Sequence, residues 1–62
     1  MNLVEVMAKA QNLGVRKVKR DDPDWSDCYL YVDGEGDLTL EGSVNIGYLS
    51  KEDLLADDWV LA

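Results

Sequence analysis

Residues 27–41 read DCYLYVDGEGDLTLE, and their pattern decides the fold. On the first arm Cys28, Leu30 and Val32 alternate with Asp27, Tyr29, Tyr31 and Asp33, the period-2 signature of a strand with one buried face. DGEGD then supplies two glycines able to take positive φ, and LTLE resumes the alternation. The spacing predicts a hairpin, residues 28–33 paired with 37–41. After Gly42, SVNIGYL is expected to extend the sheet, with Val44, Ile46 and Tyr48 at alternate positions.

Working outward, Asn2 stands before LVEVMAKAQNLG with Glu5 three positions later, the pattern of a capping box. Leu3, Val6, Met7, Ala10 and Leu13 recur at helical spacing and Gly14 suits a left-handed stop, which predicts a helix over 3–13. VRKVKR, 15–20, follows as a basic strand. Pro23 lacks an N–H and restricts Asp22, so DDPD is a loop. Ser50 followed by Asp53 opens a short helix KEDLLA, Asp57 and Asp58 end it, and WVLA forms a last strand. The order predicts an α+β fold: one N-terminal helix packed on a small antiparallel sheet of three to four strands, with a short second helix near the C-terminus.

The chain has 62 residues, of which 47% are hydrophobic, so a single folded domain over 1–62 is expected near the lower size limit for a lone apolar core. Cys28 has no second cysteine to pair with and reads as a small apolar group. That usage, an N-terminus without a basic start and the lack of a long apolar run fit an unprocessed cytosolic protein. The chain has no histidine, which removes the commonest general base and metal ligand, and its serines have no visible base. We therefore expect neither an enzyme nor a cofactor or metal protein. Asp33, Glu35 and Asp37 fall at positions 1, 3 and 5 of an EF-hand loop, but Leu38 stands where its glycine belongs and Val44 where its bidentate glutamate belongs.

Charge is the strongest functional signal. The net charge is −7, divided as 5 − 1 = +4 over residues 1–20 and 1 − 12 = −11 over residues 21–62. Nucleic acid and anionic membranes are themselves polyanions, so the natural complement is a basic protein surface. Duplex DNA carries one charge per about 1.7 Å of axis, denser than any one strand edge can offer, so imitating it needs several acidic segments on one face. Three segments hold the twelve acids: DDPDWSD, DGEGD with Glu41, and EDLLADDW. The candidate partner-binding residues are Asp21, Asp22, Asp24, Trp25, Asp27, Asp33, Glu35, Asp37, Glu41, Asp57 and Asp58, with Trp25 as an aromatic anchor beside Tyr29 and Tyr31. Trp59 is expected in the core. The ordinary counterpart is a solvated acidic surface, with Arg16, Lys17, Lys19 and Arg20 pairing with nearby aspartates.

The ends of the chain, NLVEVMAKAQNLGVRKVKR and YLSKEDLLADDWVLA, resemble small phage proteins of the Thoeris anti-defence 2 type. That family opens with a helix and a basic strand and closes on a DLLAEDW-like segment, matched here by DLLADDW at 53–59. The resemblance covers about half the chain, omits the family's longer central region and carries over no pocket residue; it implies sequestration of a signalling nucleotide. In size and acidity the chain also resembles anti-CRISPR proteins that occupy the DNA-binding surface of a Cas complex. The expected function is thus a phage-encoded inhibitor of a bacterial defence system, an anti-CRISPR DNA mimic acting in the host cytoplasm. Its expected partner is the basic nucleic-acid-binding surface of a Cas effector, with no direct nucleic acid or membrane contact and a monomer slightly favoured. The alternative is a nucleotide sponge.

Overall fold

Asn2 starts the first helix as its sequence dictates. In the computed structural model, which describes residues 1–39 and 49–62, its side chain accepts the Glu5 N–H at 2.8 Å and the Glu5 carboxylate accepts the Asn2 N–H at 3.0 Å. Helix α1 spans Leu3–Leu13 and stops at Gly14, whose φ of 70° lets the Gly14 and Val15 N–H groups turn back onto Gln11 and Ala10, a Schellman arrangement. Val6 and Ala10 are buried, whereas Leu13, on the same predicted stripe, stands 60% exposed beside the turn.

The strands are β1 (Lys17–Arg20), β2 (Leu30–Val32), β3 (Leu38–Thr39) and β4 (Trp59–Leu61), in the order β3-β2-β1-β4 and antiparallel throughout. The predicted hairpin is present, with Tyr31 opposite Thr39 and Val32 opposite Leu38. Its turn is built by Asp33, whose Oδ1 accepts the N–H of Glu35 at 2.9 Å and of Asp37 at 3.0 Å, while Gly36 takes a φ of 84°. Strands β1, β2 and β4 are shorter than the sequence suggests; Val15 and Arg16 precede β1, although the Arg16 carbonyl accepts the Val32 N–H at 2.8 Å. Leu40, Glu41 and the proposed extension at Val44, Ile46 and Tyr48 lie outside the described residues.

Helix α2 spans Lys51–Leu55, opened by the expected Ser50–Asp53 cap, and ends at Ala56. A 3-10 turn at Pro23–Trp25 stands where a plain loop is expected, capped by Asp22, whose side chain accepts the Asp24 N–H at 2.9 Å. Helix α1 packs across β4, β1 and β2. The space between is filled by Val6, Ala10, Val18, Trp25, Leu30, Val32 and Trp59, with Cys28, Leu38 and Leu61 among the residues packed around them. No helix among the described residues is long and apolar enough to cross a membrane.

Candidate interaction site at the acidic end of the sheet

Strand polarity sorts the acidic segments. Because β1 and β2 are antiparallel, the connection through 21–27 leaves β1 at its Arg20 end and re-enters the sheet beside Val18 at Leu30. Strand β4 begins opposite Arg20 at Trp59, so the connection from α2 through Asp57 and Asp58 arrives at that same end. The two are joined directly, the Asp21 N–H donating to the Asp58 carbonyl at 2.8 Å. The β2–β3 turn, by contrast, lies at the opposite end of the sheet, beside the Arg16 side chain.

One end therefore gathers Asp21, Asp22, Asp24, Asp27, Glu52, Asp53, Asp57 and Asp58 against Arg20 and Lys51, a side-chain balance of 2 − 8 = −6. The Met1 amino group also lies there, donating to the Asp57 carbonyl at 3.0 Å and the Trp59 carbonyl at 3.3 Å. Among the described residues, the turn itself carries Asp33, Glu35 and Asp37 beside Arg16, or 1 − 3 = −2 for these four side chains. Of the three candidate segments, two thus meet at one end of the sheet, and Asp33, Glu35 and Asp37 stand apart from them. Glu41 lies outside the described residues.

Arg20 organises the acidic end from within. Its Nε and Nη2 donate to the two carboxylate oxygens of Asp58 at 2.9 and 3.2 Å, a bidentate pair, and its Nη1 donates to Asp53 Oδ1 at 2.9 Å. Asp22 completes the set at 3.9 Å. The guanidinium is held protonated, its pKa raised first by the Asp58 hydrogen bond and then by Asp53. Asp58 is pulled below the ordinary carboxylate range mainly by the Arg20 hydrogen bonds. For Asp53 partial burial is the largest single influence and pushes upward. The Ser50 N–H, Arg20 and the Ser50 hydroxyl together outweigh it, so the net shift is downward. Asp22, Asp53 and Asp58 are therefore structural acids at least in part, while Asp21, Asp24, Asp27, Glu52 and Asp57 are exposed.

A pH dependence follows from these shifts. Asp53 and Asp58 have lower pKa values folded than unfolded, so the stability they contribute is complete above the unfolded value of about 4 and is lost as pH falls through the folded values. Thermal melts should be flat from neutrality to about pH 5 and should fall below about pH 4. Protonation also relieves repulsion among the exposed acids, which acts oppositely. Comparison with Arg20→Met separates the two: the variant should be less stable at neutral pH and should lose less on acidification. A variant losing as much as the parent would show that Arg20 is not the cause.

Trp25 is corrected from surface anchor to core residue. Only 7% exposed, its ring meets Trp59 edge to face with centroids 5.2 Å apart, because the 3-10 turn folds the loop back over the apolar layer. Trp59 is fully buried as expected, and its indole N–H donates to the Asp53 carbonyl at 2.9 Å. On the sheet face away from α1, Lys17 places its Nζ 4.7 Å from the Tyr29 ring centroid, and Tyr29 meets Tyr31 edge to face at 5.3 Å. The Tyr31 phenol is raised, first by its hydrogen bond with Tyr29. Of the basic run, the aspartate pairing foreseen for it is seen in Arg20, while Lys17 turns to the tyrosines.

Two features escape a linear reading. Arg20 is the last member of an ordinary basic run, and only the pairing of β1 with β4 brings Asp53 and Asp58 to it across 33 and 38 residues. Glu52 and Asp53 belong to the same acidic end, though the sequence reading counts them only in the EDLLADDW segment and gives Asp53 a capping role, without placing either among the candidate contact residues. Among the described residues no group of three or more His, Cys, Asp or Glu side chains is arranged to hold a metal ion. Comparison with family models, curated proteins and solved structures gives no match.

Proposed function

We propose that the chain is a phage-encoded inhibitor of a bacterial defence system that acts by occupancy and without catalysis, in the host cytoplasm. Its acidic end enters the Lys/Arg groove in which a CRISPR effector complex holds DNA, and DNA is excluded. The observation that supports this best is the convergence of two acidic segments at one end of the sheet, with a side-chain balance of −6. Such a surface offers lysines and arginines what phosphates offer them, accelerates encounter and fixes orientation. Because Arg20 neutralises only part of the set, exposed carboxylates remain at Asp21, Asp24, Asp27, Glu52 and Asp57. The test is competition: the purified protein should displace labelled DNA from a purified effector complex, more effectively at low salt. Unchanged DNA binding by candidate effectors at low salt would reject the proposal.

A second reading, sequestration of a signalling nucleotide, is favoured by the opposite face of the sheet. There Lys17 of β1 lies opposite Tyr31 of β2, with Lys19 two residues further along β1, cations and an aromatic ring of the kind that hold a phosphate and a base. Stabilisation of the protein by cyclic nucleotides in a thermal shift assay, together with an oligomeric native mass, would favour this reading over groove blocking.

A further inference from the structure

Helix α2 faces the reverse way to an ordinary surface helix. Its acid Asp53 is turned inward, gripped by Arg20 at 2.9 Å and by the Ser50 N–H at 3.0 Å, and the Asp53 carbonyl receives the Trp59 indole. Its two leucines point out, with Leu54 51% and Leu55 74% exposed. An amphipathic helix normally buries such residues and leaves the acid in water. Apolar packing in this region comes instead from the flanking residues Leu49 and Ala56. The fold is anchored by polar contacts here and does not use the leucines.

The surroundings limit what could cover them. A second copy docking through the same patch would bring two ends of side-chain balance −6 together, and anionic lipid would be repelled likewise. An apolar strip bordered by lysine and arginine meets both the leucines and the carboxylates. We infer that Leu54 and Leu55 are the apolar anchor of the acidic end, and that they meet a basic amphipathic helix lining the partner's cationic groove. This inference rests on the reading in the preceding section and gives the partner its chemistry. The anchor is the part Trp25 cannot play from the core. Interfaces of this kind draw affinity from a few desolvated apolar side chains, with the charged rim setting encounter and orientation.

The test uses synthetic probes. A labelled helical peptide of about 18 residues, with leucines along one face and lysines on the other, is titrated by fluorescence anisotropy against the protein. A peptide of the same composition, scrambled to break the apolar face, is the control. The wild type should bind the amphipathic peptide about tenfold more tightly than the scrambled one. Leu54→Ser with Leu55→Ser should erase that preference, keep the weaker salt-sensitive binding of both peptides, and melt within about 4 °C of the parent. If the double variant still prefers the amphipathic peptide, the leucines are not the anchor, although acidic docking stands. If neither peptide binds the wild type at low salt, acidic docking falls as well. Leucine-dependent dimerisation in sedimentation, or leucine-dependent binding to neutral phosphatidylcholine vesicles, would overturn the assignment in favour of a second copy or a lipid surface.

Discussion

Replacing Trp59 by alanine should abolish the cooperative unfolding transition. Trp59 is fully buried at the start of β4, where it contacts Trp25 edge to face and donates its indole N–H to the Asp53 carbonyl. Truncating a core tryptophan costs about 3–5 kcal/mol. A domain of this length has a total stability of only about 3–9 kcal/mol, at about 0.05–0.15 kcal/mol per residue. The loss is thus comparable with the whole, and a melting temperature lowered by about 20 °C or more is expected where any transition survives. Trp59→Phe should be much milder, since it keeps most of the apolar volume and loses mainly the hydrogen bond. Circular dichroism melts check both. An alanine variant melting within about 5 °C of the parent would show that this pair does not hold the core.

The second large effect is on association. Asp21, Asp24 and Asp57 are exposed, and none of their side chains joins the Arg20 cluster. Changing all three to lysine moves the formal charge from −7 by +6 to −1. Exposed substitutions of this kind usually alter stability by about 0.5 kcal/mol or less each, so the variant should fold. Its association rate with an effector complex should fall by about 100-fold at low salt, with the dissociation rate changed far less. Raising the salt should close the gap, because screening removes the steering that the parent enjoys. Stopped-flow measurements at two ionic strengths would separate the contributions. An effect confined to dissociation would mean that these carboxylates form close contacts rather than a guiding field.

Much of the fold was legible because its boundaries are set locally. The Asn2–Glu5 box, Gly14, the Asp33-to-Asp37 turn and the Ser50–Asp53 cap each involve residues within a few positions of one another, and each stands where the pattern puts it. The burial of Leu30 and Val32 likewise follows from simple alternation. What local pattern does not carry is which ends meet. The placement of 21–27 with 52–58, away from 33–37, depends on strand order and polarity. Trp25 misleads because its sequence neighbours are all polar or turn-forming, yet the 3-10 turn folds it onto Trp59. The sequence pattern makes no assignment for Leu54 and Leu55. Both are apolar yet exposed, while Arg20 holds Asp53 of the same helix inward.

Position, rather than total charge, is what the proposed mechanism requires. The molecule measures 26 × 22 × 18 Å, whereas screening at physiological ionic strength acts over about 8 Å. Charges at the two ends of the sheet are therefore distinguishable by a docked partner. Asp21→Lys with Asp57→Lys changes one end, and Glu35→Lys with Asp37→Lys makes the same formal change of +4 at the other. The decisive measurement is the association rate of both variants with one effector complex, at physiological salt. The first pair should slow association by about tenfold or more and the second by about twofold or less. Equal slowing by the two pairs would contradict a docking site at the Arg20 end and leave only a net-charge effect.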